Sequence, residues 1–570
     1  MEKKNIAILI LAVALVASGV GNIFLAIGPG VQFEEPDVIS FVFGTSSGPS
    51  DLDPVRSWDS ASNDVIEQVC EGLYKYNLSD PDLGIIPILA TDLGSWDSSG
   101  KHLTIPLRRN VFFHDGTPFN ADAVKWTFER INWFINASGT LPTSTGISQI
   151  HSLYEFPNQT TILDPTTPVT VNSEYSVTIN LRAPYAVFQP LICYVTAMML
   201  SPTATNKTGY ISTATGDIVG TGPFMYDHYI ADTEVKFTRW DRYWSTGAYF
   251  EELTYAIIED PTTRNNAMLG HTIDYLAGAE SALLDTFGAD TTITWRSGGQ
   301  GMAYYYLGMN NKMINQTWRQ AISAAINYTY IIDELRQGTV YRANGPLAPT
   351  FPGFDASIKA EVWDLAKARG IIKSMGFAAG STYLADNETT GPSATAWKAL
   401  SLVTWNYTYN VGNSFREDMG VLLKDNLDQI GIDVVDEPIS WSDFLDRVYG
   451  YAPGGYDTVM LYWIGWGPDY LSPFNMIDPL FSVTSASNAA QYNNTQVQQW
   501  LADVLEETDE GARAVLYSLI LTQIVEVDMP HAFGYHPYQN SVHSADIKGV
   551  SYNGMGAFYI YPMYREPSEY

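Results

Sequence analysis

The stretch Tyr462–Pro473, YWIGWGPDYLSP, sets one carboxylate, Asp469, among aromatics and glycines directly after an apolar run. Its partner is open at this level, because an aspartate after a proline often accepts its own backbone amides in a turn. A second candidate is Gly44-Thr-Ser46-Ser47-Gly48, which matches GxSxG after a strand-like run. A nucleophile elbow needs a helix immediately afterwards, and Pro49-Ser-Asp-Leu-Asp-Pro54 does not start one cleanly. A secreted serine hydrolase using Ser46 therefore stands as a remote reading. Among the eight histidines the nearest pair, His531 and His536, brackets a segment with no third ligand in register, so no metal site is expected. The chain has no HExxH, Walker loop, paired CxxC or GxGxxG after a strand.

The elements that must hold these residues read as mixed α/β. Strand-like runs occur at Val38–Gly44, Ser176–Leu181, Val235–Trp240, Leu253–Glu259, Tyr304–Asn310, Ser401–Tyr407 and Tyr456–Gly465. Helical spacing lies between them. Phe415, Met419, Leu422, Leu427 and Ile430 recur at helical intervals, and Gly431 ends that segment before the run IDVV. Asn120 before ADAVKWTFERI is positioned to cap a helix, with Asp122 in its first turn. Trp318, Ala321, Ile322, Ala325 and Ile326 fall on one helical face, which is ordinary core packing.

Composition sets the bounds. With 570 residues, 46% hydrophobic and 16% charged, the chain can bury several cores, and two or three compact lobes are expected. The net charge of −31 argues against a nucleic-acid partner, since phosphate binding needs clustered Lys and Arg. Lys3 and Lys4 precede an uncharged apolar run, Ile6–Ile27, long enough to cross a hydrocarbon core. Residues 1–30 are read as a signal peptide or membrane anchor, and the body as exported to the outer face of the membrane. No second apolar segment of that length follows, which excludes an intrinsic channel. Nine Asn-x-Ser/Thr sequons fit export, whether or not they carry sugar. Cys70 and Cys193 are the only cysteines, too few for a disulfide framework, and two buried free thiols are expected in preference to a bridge.

A series of blocks in order then carries a resemblance: DLDP (51–54), EGLYKYN (71–77), IIPILATDLGSWDSSGKHLTIPLRRNVFFHDGTPFNADAVKWTFERI (85–131), IVGTGPFMY (218–226), RWDRYW (239–244), IIEDPTTRNNAMLGHTID (257–274), WRQAISAAIN (318–327) and LDQIGIDV (427–434). The chain resembles the family 5 extracellular solute-binding proteins, the oligopeptide, dipeptide and nickel receptor class of ABC importers. Apart from the name, FFHDGTPF reads as a loop fixed by the side chains of His114 and Asp115. GTGPF reads as a place where Gly220 and Gly222 permit a close backbone approach.

The resemblance implies a periplasmic-binding-protein-like α/β fold (class II, cluster C) whose two lobes close by a hinge. Lobe one would hold 38–70, 200–290 and 530–570, with an extra subdomain at 71–199, and lobe two 291–529. It implies a receptor, not an enzyme, expected as a monomer, that passes peptides to an ABC permease and needs no cofactor. Asp469 matches an aspartate that pairs with a ligand ammonium in peptide-binding members, flanked by Trp466 and Tyr470. Gly465 and Gly467 would let a peptide bond as an extra strand, against Ser46, Ser47 and Gly48 on the other lobe. Some oligopeptide receptors of the family carry an arginine six residues before the aspartate; Trp463 stands there instead. With 15 Trp and 36 Tyr, stacking of an oligosaccharide is a further reading, as is a chelated-metal ligand.

Overall fold

Alternating aromatic and β-branched positions pair into one mixed sheet of twelve strands, which organises most of the molecule. The protein is seen in a computed structural model that describes residues 38–57, 59–80, 83–135, 153–155, 160–214, 216–380, 382–411, 413–450, 452–507 and 509–566. The apolar run at Ile6–Ile27 lies outside them. Among the described residues no helix is long and apolar enough to cross a membrane.

In chain order the twelve strands are β1 (Ser40–Thr45), β2 (Phe224–Ile230), β3 (Glu234–Arg239), β4 (Glu252–Ile257), β5 (Tyr275–Leu276), β6 (Ile293–Gln300), β7 (Tyr304–Met309), β8 (Val340–Arg342), β9 (Val403–Asn410), β10 (Ile432–Ile439), β11 (Leu461–Trp466) and β12 (His531–Ser544). Their spatial order is β10-β9-β11-β7-β12-β5-β1-β4-β3-β2, with β6 and β8 also pairing to β12. The first part of β12 pairs with β7 and β8, from His531 opposite Gly308 to Pro537 opposite Val340. Its second part pairs with β6 and β5, from Tyr538 opposite Gln300 to Ser544 opposite Ile293. One strand therefore belongs to two halves of the protein.

The first half is built on β1, which runs parallel to both β4 and β5. Helix α1 (Ser60–Val69) follows β1 and is capped by Asp59, whose side chain accepts from the Ser62 amide. A four-stranded sheet, in the order Ser95–Trp96, His102–Pro106, Ser176–Asn180, Val169–Ser173, sits between β1 and β2 in the chain. It carries α2 (Ala121–Phe134), and Asn120 caps that helix as expected, accepting from the amides of Asp122 and Ala123. In the second half β9, β10 and β11 run parallel. Helices follow their C-terminal ends: α4 (Ser414–Asp428) after β9, α5 (Trp441–Val448) after β10 and α6 (Pro473–Phe481) after β11. The order strand, then helix, is the arrangement that gathers helix N-termini and loops at one edge of a sheet. The face of α3 (Gln316–Ala325) that holds Trp318, Ala321, Ile322 and Ala325 is buried, as its spacing predicts.

Two local readings bear out in detail. Asp115 accepts from Thr117, Ser201 and Thr203, and these donors hold its carboxyl down at about 2 despite partial burial. His114 bonds to the Gly222 carbonyl at 2.9 Å. A Cβ on Gly220 would stand 2.2 Å from the Val69 carbonyl oxygen, so the backbones meet there as GTGPF suggests. Cys70 and Cys193 are buried free thiols. The run expected at Tyr456–Gly465 starts later: Gly454 adopts φ of +95°, and a 3-10 turn at Gly455–Thr458 uses up the residues before β11.

Candidate functional site

β11 ends at Trp466, and Gly467-Pro468 carry the chain out of the sheet to Asp469, just before α6. Asn475, in the first turn of α6, clamps this loop from both sides: its Oδ1 accepts from the Asp469 amide at 2.7 Å and its Nδ2 donates to the Asp469 carboxylate at 2.9 Å. The aspartate thus does not cap its own loop, since Asn475 satisfies the amide. The Tyr194 hydroxyl, from the first half, lies close enough to the carboxylate to favour its charge. Desolvation of this half-buried carboxyl drives it up to about 6, against the Asn475 hydrogen bond and the Tyr194 hydroxyl, which favour its charge.

Contacts from one half to the other continue on either side of this point. The Leu471 amide donates to the Tyr76 hydroxyl at 2.8 Å. Tyr470 and Tyr185 bond through their phenols. Asn63 on α1 donates to Tyr194 at 3.1 Å, which ties the aspartate's partner to the helix that follows β1.

The other expected residues divide. Trp466 is half-buried, with its Nε1 donating to the Asn475 carbonyl at 3.2 Å. Gly467 is exposed, and a Cβ there would meet nothing within 4 Å. Ser46 and Ser47 are exposed beyond β1, and no helix starts until Ser60. Gly48 is tight for a different reason, because a Cβ would lie 2.7 Å from the Tyr229 hydroxyl. Three residues read as ligand-facing belong to packing. Trp463 is buried between Phe415 and Tyr535, because odd positions of β11 face the core of the second half. Tyr470 is buried in the core that spans both halves. Gly465 is glycine because the Tyr305 ring lies across it, 2.5 Å from where a Cβ would stand.

The remaining chemistry is structural. His531 stacks on Tyr306 with ring centroids 3.9 Å apart, and His536 bonds to the Ala303 carbonyl while burial pushes its imidazole down to about 4. The other five described histidines, His102, His114, His228, His271 and His543, each have a partner other than Ser46. Among the described residues no group of three or more His, Cys, Asp and Glu is arranged to hold a metal ion.

Two acidic groups escaped the sequence reading. Asp64 and Glu67 project from α1, and burial raises their carboxyls to about 7 and about 8, with neighbouring Asp59 and Asp64 adding to the rise. Glu67 lines a cavity of about 240 Å³ with Lys75, Tyr76 and Tyr559. The signal was present: two carboxylates at i and i+3 share a helix face. Nothing in the sequence alone shows that this face is covered.

A model of the bacterial extracellular solute-binding proteins, family 5, matches residues 84–488. The chain belongs to that family. Its members are receptors that bind solutes, so Ser46 is a loop residue and not a nucleophile. The chain is 26% identical to di/tripeptide-binding protein 1 of Pseudomonas aeruginosa strain UCBPP-PA14 over 554 residues, covering 91% of this chain and 93% of the relative. It is 25% identical to heme-binding protein A of Haemophilus influenzae over 545 residues, 91% of each. Its fold matches the ABC transporter-associated periplasmic binding protein DppA from Helicobacter pylori in complex with peptide STSA, with a TM-score of 0.77, 21% identity, and coverage of 93% of this chain and 98% of that one. The two-lobed α/β fold of the binding-protein class is thereby established for this solute-binding protein, with the lobes joined along β12.

Proposed function

We propose that this solute-binding protein captures peptides between its lobes, fixes their free α-ammonium on Asp469 and hands them to an ABC permease. The observation that carries the reading is the state of that carboxylate. It lies half-buried where the lobes meet, with its charge penalised by desolvation and, among the described residues, with no cation in ion-pair contact. A ligand ammonium supplies both the countercharge and the missing donors. The naming of the Pseudomonas relative for di- and tripeptides supports the same ligand class.

The lobes divide along β12: 38–70, 200–300 and 538–566 in lobe one, with 71–199 as its subdomain, and 301–537 in lobe two. These limits move the crossings from 290 and 530 because β6 pairs with lobe one's part of β12. The run Ile6–Ile27 directs export or anchors the body at the outer face of the membrane. A chain starting at Glu34 is then released without detergent and still binds peptide, as a monomer. The deciding experiment is mass spectrometry of solute carried through purification, followed by calorimetry with alanine peptides bearing free or acetylated N-termini. Binding that requires the free amine in wild type, and loses that requirement in Asp469→Ala, supports the reading. Equal binding of both forms to wild type rejects it.

A further inference from the structure

Lobe one holds a second cavity, of about 190 Å³, lined by residues of β1, α1, β5, β12 and the loop 551–558. One wall is aromatic. Phe43 of β1, Tyr275 of β5 and Phe558 of the loop pack on one another, with ring centroids 4.6, 4.7 and 5.6 Å apart. The polar side is formed by Asp64 of α1 and by Gln539 and Ser541, alternate residues of β12.

The architecture uses some of these polar groups and leaves two over. The Gln539 Nε2 donates to the Gly554 carbonyl at 3.4 Å, Asn553 bonds to both the carbonyl and the amide of Ala557, and the Tyr552 hydroxyl bonds to His543 at 3.2 Å. Ser541, by contrast, is 3% exposed, and its Oγ is buried without a hydrogen-bond partner. The half-buried Asp64 carboxylate takes part in no hydrogen bond or ion pair among the described residues; desolvation penalises its charge, and Asp59 adds to the penalty. No lysine, arginine or histidine is among the described residues that line the cavity. Glu67, one turn further along α1, is placed differently, because Lys75 lines its cavity and offsets its charge.

The cavity adjoins the residues assigned to the peptide. Asp64 and Phe43 share a void of about 10 Å³ with Ser47 and Gly48, in the loop after β1. Asn63, the residue before Asp64, donates to Tyr194, whose phenol stands beside Asp469.

We infer that this cavity takes a cationic side chain of the bound peptide, with the ammonium or guanidinium on Asp64 and the Ser541 hydroxyl and the aliphatic stem along Phe43, Tyr275 and Phe558. The inference rests on the peptide reading above and adds a preferred side chain to it. A desolvated carboxylate gains its countercharge and its donors from such a group, and the hydroxyl oxygen accepts a further N–H. Aromatic faces attract a cation and also cover a methylene stem. With 62 acidic against 31 basic residues, the field of the whole protein draws the same charge in.

The test uses trialanine and its forms with lysine or norleucine at the first, second or third position, titrated calorimetrically into wild type, Asp64→Asn and Ser541→Ala. Norleucine keeps the aliphatic stem and removes the ammonium. In wild type, lysine at one of the positions should bind about 10- to 100-fold more tightly than norleucine there, the range for hydrogen bonds to a charged group. Asp64→Asn should erase that preference, and Ser541→Ala should reduce it about fivefold. Circular dichroism reports whether each variant is folded, and Ser541→Ala, the smaller change, decides alone if Asp64→Asn is not. A lysine preference that survives undiminished in the folded variants comes from the acidic surface at large and overturns the inference. Wild type that binds trialanine but prefers lysine at no position overturns it as well and leaves Asp469 intact. Wild type that binds none of these peptides overturns the peptide reading and the inference together.

Discussion

Two enclosed aspartates in this protein meet opposite fates. Asp53, in the DLDP stretch of lobe one, is fully buried and fully answered: Arg130 grips both carboxylate oxygens, and the amides of Val55 and Ile211 add 3.1 and 2.9 Å bonds. Arg130 itself is 2% exposed. Asp469 has one hydrogen bond, from the Asn475 amide group, a phenol nearby, no cation in contact among the described residues, and a carboxyl pushed up to about 6 by desolvation. The contrast separates a carboxylate whose partners are all supplied by the fold from one whose partners are few, which is the ground on which the proposed ligand role of Asp469 stands.

The comparison breaks most visibly through Asp53→Ala. Removing one member of a buried pair leaves Arg130 uncompensated, at a cost of about 3–5 kcal/mol in folding stability. Thermal unfolding followed by circular dichroism should show it with or without peptide, and an unchanged melting temperature would erase the distinction. Asp469→Ala should do the reverse. Peptide affinity falls by at least about 100-fold, while the unliganded protein melts at the same temperature or slightly higher at neutral pH.

A pH series sharpens the same point. The folded-state carboxyl of Asp469 lies above its ordinary value, so the unliganded fold holds that proton more tightly than the unfolded chain does. Its stabilising share is present at low pH and is lost as the pH rises through about 6, with Asp64 and Glu67 following through about 7 and about 8. A ligand ammonium needs the ionised form, so peptide affinity should climb between pH 5 and pH 7, by no more than about tenfold per unit. Asp469→Asn should flatten that climb in calorimetry. The smallest expected effect belongs to the lobe contact: Tyr76→Phe removes the acceptor of the Leu471 amide and should weaken peptide binding by about 5- to 10-fold with little change in unliganded melting. A loss of fold in that variant would place Tyr76 with Asp53 and not with Asp469.

Much of the architecture was legible in the chain because it is local. The Asn120 cap and the Asp115–Thr117 turn follow from neighbours within a few residues and the glycines of GTGPF from a backbone's need for space, while the bonds of Asp115 to Ser201 and Thr203 come from far along the chain. The candidate site is legible in part, since Asp469 stands in the loop beyond β11 where the spacing puts it. Trp463 packs in the core because both faces of β11 are covered along its first four residues, so aromatic content no longer tells one side from the other, and Tyr470, beyond the strand, is drawn into the core shared by both halves. Asn475 is only six residues from Asp469, but Tyr194 lies far away in the chain, and no spacing rule joins residues 194 and 469.

Because β12 is hydrogen-bonded to lobe two at one end and to lobe one at the other, this receptor has no loose cord between its bodies. Any rotation of one lobe against the other would be taken up as torsion along a ribbon whose bonds stay made, with Gly299 beside it at a φ of +95° and nothing packed against the place of a Cβ. Twisting that ribbon would meet a restoring torque from its own ladder, so the strand that joins the lobes would also set the angle to which they return.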